Sequence, residues 1–142
     1  PEIILSGRRI NDSMGPYIVT EIVKLMLNKK ITIKNAKILL LGITFKENCP
    51  DIRNTKVIDL YNELETYNMD VDVHDPWANT KEVKTELGIV LKEEITKERY
   101  DAIILAVAHN EFLELSLENL KNNNSVVYDV KGVLGNQADA RL

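Results

Sequence analysis

The chain has 142 residues, with 18 Lys and Arg against 22 Asp and Glu, a net charge of −4 and 44% hydrophobic residues. That length fits one domain with a substantial core; the charge and the lack of a basic cluster argue against nucleic acid, and no apolar stretch nears the roughly 20 residues a membrane-spanning helix needs. The single cysteine, Cys49, excludes an internal disulfide and suits a reducing cytoplasm, while Pro1-Glu2-Ile3 lacks a signal peptide's basic and apolar regions and, without an initiator Met, suggests a piece of something longer.

Residues 12–30 read as a helix. Met14, Ile18, Ile22, Leu25 and Met26 recur at helical spacing, and Tyr17, Val19 and Val23 widen the stripe. Asp12 or Ser13 could cap it, and Pro16 is tolerable only in a first turn or at a kink. A helix apolar round more than one face belongs between two layers, or between this domain and something outside the chain. Asn28 to Lys37 is a polar connection. Strands are then expected at 37–42, 70–74, 101–107 and 125–130, with helices at 54–67, 79–86 and 110–122. Ile89-Val90-Leu91 suggests a minor fifth strand, and the tail from Gly135 to Leu142 has turn-like composition. Near-continuous aliphatic strands alternating with helices imply an α/β fold: a Rossmann-like three-layer sandwich on a mainly parallel sheet.

A parallel sheet places the loops that follow its strands along one edge, where open α/β sheets bind ligands. Here those loops contribute Lys46 and Arg53; Asp75, Pro76 and Trp77; His109 and Asn110; and Lys131. Lys46 and Arg53 suit an anion, Lys as a point charge and Arg as a two-pronged donor, or are solvated surface charges. Asp75 before Pro76 reads as a turn former or a ligand, Trp77 as a stacking platform or a packed interface residue, His109 as a capping histidine or a ligand. The first strand ends in a lone Gly42 rather than a Gly-x-Gly-x-x-Gly turn, so no dinucleotide fingerprint is present. Cys49 has no basic partner in the pattern, and His74 and His109 lack metal-ligand spacing, so neither a thiol nucleophile nor a metal is expected.

Three ordered stretches carry a resemblance. Phe45-Lys46-x-x-x-x-Asp51-x-Arg53 resembles the Phe-Lys-x-x-Thr-x-Asp-x-Arg signature of the UDP-glucose/GDP-mannose dehydrogenase family, in its C-terminal, nucleotide-sugar-binding domain. Ser6-Gly7-Arg8-Arg9-Ile10-Asn11-Asp12 resembles the Arg-x-x-Asn-Asp segment that opens the family's central helix, and Tyr128-Asp129-Val130-Lys131-Gly132 its Asp-x-Arg or Asp-x-Lys element. With Asp75-Pro76 the similarity covers essentially the whole chain in the family's order. It implies that residues 1–30 form part of an interdomain and dimerisation helix and residues 31–142 a UDP-sugar-binding domain. It implies that Phe45 and Lys46 contact the UDP-sugar, that Arg53 reaches towards NAD, and that Arg8 contacts the sugar of a neighbouring subunit in a homodimer. Lys131 stands where many members carry Arg, keeping the charge but losing the bidentate fork. Such enzymes oxidise C6 of a nucleotide sugar in two NAD-dependent steps through a catalytic Cys in a segment preceding this one. Cys49 occupies a frequent Thr position instead, so no catalytic residue is expected here and the chain alone is expected to be inactive. The wording around Glu47–Thr55, Asp75–Ala78 and Asp129–Gly132 looks most like the UDP-N-acetylhexosamine branch, which serves capsules, O-antigens and Vi-type polysaccharides.

Two other readings compete. A receiver-like regulatory module would use Asp75 as phospho-acceptor and Lys131 as its cation, but it needs an acidic pair where this first strand ends Leu41-Gly42-Ile43-Thr44. An interaction domain dimerising through the 12–30 helix is compatible with the enzyme reading.

Overall fold

The structure, a computed structural model, describes residues 14–142. Helix α1 (Met14–Asn28) precedes strand β1 (Lys37–Leu41), helix α2 (Val57–Thr66), strand β2 (Asp70–His74) and helix α3 (Thr80–Leu87). Strand β3 (Tyr100–Leu105), the short helix α4 (Asn110–Leu113), a 3-10 turn (Leu117–Asn119) and strand β4 (Lys121–Asp129) follow. A second 3-10 turn (Gly135–Gln137) leads into strand β5 (Ala140–Arg141). No helix among the described residues is long and apolar enough to cross a membrane.

The five strands are all parallel, in the order β2-β1-β3-β4-β5. Their buried apolar side chains alternate between two cores, apart from Tyr100, which joins the second at the β3–β4 register irregularity. Ile38, Leu40, Ala102, Ile104, Val126 and Tyr128 join one core with α1, α2 and Val83 of α3. Leu39, Leu41, Ile103, Leu105 and Val127 join another with Phe112, Leu117 and Leu120. Successive strand residues point to opposite faces, so strands that are aliphatic at every position demand cover on both, as the three-layer expectation has it. Helix α1 sinks Ile18, Val19, Ile22 and Met26 into the first core while Tyr17 and Leu27 stay exposed. A Cβ at Gly15 would stand 3.0 Å from the backbone of Asp59 and Leu60, so α1 and α2 approach closely there.

Several expectations are corrected. The 110–122 segment is a one-turn helix and a separate 3-10 turn. Phe112, Leu117 and Leu120 all enter one core, and the five-residue step from Phe112 to Leu117 is off helical register, so the chain leaves the helix to bury both. Residues 89–91 are not a strand: Ile89 and Leu91 are buried, Val90 is exposed, and one backbone bond, from Lys92 N to Val73 O, ties the segment to the β2 edge. Strand β4 starts at Lys121 rather than 125, reached through a register irregularity opposite Tyr100–Ala102. Strand β5 lies in the tail read as turn-like. Arg8 and the caps Asp12 and Ser13 lie outside the described residues.

Candidate functional site

The strand order reverses between β1 and β3, and the loops leaving these two strands at their carboxyl ends flank the crevice where doubly wound sheets hold ligands. At the mouth of β1, the Leu41 carbonyl accepts the amides of both Ala106 and Val107. Gly42 follows at φ +98°, and a Cβ there would lie 2.5 Å from that of Val107. The lone glycine therefore serves the close approach of two strand ends, and its open side is filled by Val107.

The 43–55 loop is anchored from below by Asp75. One oxygen of that carboxylate accepts Ile43 N (2.7 Å) and Thr44 N (3.2 Å), the other Trp77 N (2.8 Å) and Ala78 N (3.1 Å). His109 Nε2 stands 3.0 Å from the first oxygen, and both side chains are completely buried. Burial pushes the Asp75 carboxyl upward. The hydrogen bond from His109 and those from the Ile43 and Trp77 amides outweigh it and hold the group below its ordinary value. A carboxylate with five donors and no solvent is a structural anchor; it is not accessible as a phosphoryl acceptor, which removes the basis of the receiver reading.

His109 occupies the N-cap position of α4 but makes no side-chain cap bond. Its Nδ1 accepts the amide of Asn48 at 2.9 Å, and Asn110 N donates to Asn48 Oδ1 at 2.9 Å. Trp77 stacks on the imidazole (centroids 6.0 Å apart, planes at 23°), Phe112 tilts against it at 5.3 Å, and the indole N–H donates to Glu111. The alternatives left open for Asp75 and His109 thus resolve towards anchoring, while Trp77 covers one face of the imidazole and keeps its own other face exposed. Asp75 and His109 bond to each other and to the 43–55 loop, and Trp77, itself exposed, reaches that loop only through them.

On that anchored base the ligand-type residues face outward. Phe45 is 55% exposed, unusual for its type, and Lys46 beside it is exposed. Phe45 N donates to Asp51 O (2.7 Å) across the loop, and Thr44 Oγ1 donates to Lys46 O (3.0 Å). Among the described residues Lys46 makes no ion pair. Arg53 lies at the loop's far end, its side chain 84% exposed, forked onto Asp51 through Nε and an Nη at 3.0 Å each. That pairing, by hydrogen bond and by charge, raises the guanidinium's proton affinity and lowers the Asp51 carboxyl. Arg53 also borders a surface groove of about 540 Å³ with Ile52, Glu82, Glu86 and Leu87. Lys131 is exposed after β4, in a turn built by the buried Asp129, whose carboxylate accepts the amides of Lys131, Gly132 and Leu134. Cys49 is half-buried in the loop.

Sequence reasoning missed Asn48, Thr44 and the turn-building role of Asp129. Asn48 had one local signal, its tolerance of the left-handed conformation it adopts at φ +55°.

Residues 39–136 match the UDP-glucose/GDP-mannose dehydrogenase family, UDP binding domain. The whole chain is 47% identical to a UDP-N-acetyl-D-glucosamine 6-dehydrogenase of Salmonella typhi and 49% identical to one of Pseudomonas aeruginosa, spanning 34% and 35% of those proteins. Among solved structures it resembles the UDP-N-acetyl-mannosamine dehydrogenase of Staphylococcus aureus, with a TM-score of 0.75 at 23% identity, over 100% of this chain and 32% of that one; this last likeness concerns the fold. The chain spans about a third of the curated relatives it matches. It belongs to the UDP-glucose/GDP-mannose dehydrogenase family, as its UDP-binding domain.

Proposed function

We propose that this chain is the nucleotide-sugar-binding part of an NAD-dependent dehydrogenase that oxidises the C6 hydroxyl of a UDP-N-acetylhexosamine to the carboxylate, for bacterial surface polysaccharide. The observation that carries the reading is the identity of nearly half, over the full chain, to two proteins named UDP-N-acetyl-D-glucosamine 6-dehydrogenase. In this reading residues 1–30 belong to an interdomain helix at a homodimer interface, residues 31–142 bind the UDP moiety, and the enzyme works in the cytoplasm.

Phe45 supplies an exposed aromatic face, and Lys46 an ammonium group for the diphosphate or sugar. Lys131 adds a second cation from the β4 loop, and Arg8 of a neighbouring subunit a third. Charge-assisted contacts to phosphate are each worth roughly 1.5–3 kcal/mol. Binding energy from the UDP portion then positions C6 for chemistry carried by another segment. The residues here do not form a dinucleotide cradle, since Val107 fills the space beside Gly42. Arg53 is the contact assigned towards NAD, and releasing it from Asp51 would free the fork. Cys49 is not the nucleophile, and the chain alone is inactive.

Calorimetric titration with UDP and UDP-N-acetylglucosamine, with NAD as comparison, tests this. Heat from the uridine ligands alone is expected, with Lys46→Ala weakening the interaction about tenfold or more. Equal affinity of that variant removes Lys46 from the site, and binding of NAD in preference to UDP refutes the reading.

A further inference from the structure

The loop that carries Phe45 and Lys46 is tied at its tip to the opposite side of the β1/β3 crevice by a single buried side chain. We propose that His109 is a positioning residue for the nucleotide sugar, holding the loop tip through the Asn48 amide and so setting where Phe45 and Lys46 stand. The inference rests on the reading of those two residues as ligand contacts.

A backbone amide can only donate, so Nδ1 of His109 is the acceptor in its contact with Asn48, and the ring proton sits on Nε2. That proton points to Asp75 Oδ2 at 3.0 Å, with Thr44 Oγ1 at 3.2 Å on the same side. The imidazole offers an acceptor and a donor on opposite edges of a rigid ring, and here the two edges join the Asp75 anchor to the loop tip. Trp77 and Phe112 fix the plane of the ring. Asn110, the next residue, returns a bond from its amide to Asn48 Oδ1. Asn48 is therefore held by the 109–110 junction from both its main chain and its side chain. An N-cap position prefers Ser, Thr, Asp or Asn, and His109 makes no cap bond. Capping does not account for this histidine; the loop does. Lys46 and Asn48 are two residues apart, so slack at Asn48 reaches Lys46 directly.

Two substitutions separate the two edges of the ring in the full-length enzyme. His109→Gln places an amide where Nε2 stands and can still serve Asp75, but withdraws the acceptor from Asn48. His109→Asn places an oxygen near Nδ1 and keeps that acceptor, but abandons Asp75. Expected is a KM for UDP-N-acetylglucosamine raised about tenfold in His109→Gln, with kcat changed less than about threefold, and a KM restored to within about threefold of wild type in His109→Asn. A packing role alone would lower the melting temperature of both variants and leave their KM values alike. Equal KM values, or a loss confined to kcat, overturn the proposal. Hydrogen exchange at the Asn48 amide of the wild-type enzyme decides the matter where neither histidine variant folds: protection of that amide before any UDP-sugar is added supports the clamp, and exchange at the rate of an open loop overturns it. A wild-type enzyme without affinity for UDP-sugars overturns both this and the underlying reading, whereas tight wild-type binding with an unaltered His109→Gln overturns this one alone.

Discussion

Gly42 shows how one residue answers two questions at once. Its φ of +98° lies in a region that L side chains rarely adopt, and a methyl group there would meet Val107 at 2.5 Å. Gly42→Ala is expected to destabilise the fold by about 2–4 kcal/mol, combining backbone strain with overpacking; a urea midpoint indistinguishable from wild type would contradict this. In the sequence Gly42 was legible only as a missing dinucleotide fingerprint, and the reason it must be glycine lies 65 positions away at Val107. The same holds across the site. Lys46, Arg53 and Lys131 were readable because exposed charges on edge loops follow from strand order alone. Asp75, Trp77 and His109 stayed ambiguous because their roles are set by partners distant in sequence: His109 contacts Asn48 across 61 positions and Asp75 across 34.

At the scale of elements, the long amphipathic and aliphatic segments were legible and the short ones were not. Strands β1, β2 and β3 are nearly where their Ile, Leu and Val residues place them: β1 and β3 fill both cores, and β2, at the sheet edge, gives Val71 and Val73 to the first. Strand β5 is two residues long and has no pattern of its own. It is held by Asp139, whose carboxylate accepts Val127 N at 2.7 Å and Lys29 Nζ at 3.0 Å, while its own amide donates to Val127 O at 2.8 Å. Asp139→Ala leaves the Val127 amide without that partner and is expected to cost about 1–3 kcal/mol. Hydrogen exchange would show it as lost protection at Val127 and Leu142. Unchanged protection there would mean the β4–β5 pairing holds β5 without the side chain.

For the molecule as a whole, charge collects at the amino end of the sheet, opposite the ligand edge. Lys37 Nζ lies 2.9 Å from Glu98 and 3.3 Å from Asp70, and Lys92 Nζ lies 3.1 Å from Glu98. Tyr100 donates to Asp72 within the same group, and burial together with that carboxylate pushes its phenol upward. Lys37 and then Lys92 hold the Glu98 carboxyl down to about 2, from an ordinary 4.5. A carboxyl depressed on folding contributes stability that is fully present above its unfolded value and is lost as pH falls through its folded one. Glu98→Gln is therefore expected to melt below wild type at neutral pH, with the gap closing between about pH 4.5 and 2; a gap independent of pH would point to packing instead. Helix α1 has a mechanical consequence of its own. It is keyed to the sheet at one end by the tight seat of Gly15 on α2, and at the other by Lys29, whose ammonium reaches Ser125 O and Asp139 and whose carbonyl accepts Asn124. A helix fixed at both ends cannot swivel on its own domain. Helix, sheet and edge loops therefore turn together as one lever, and a force on α1 is carried whole to the loop that bears Phe45 and Lys46.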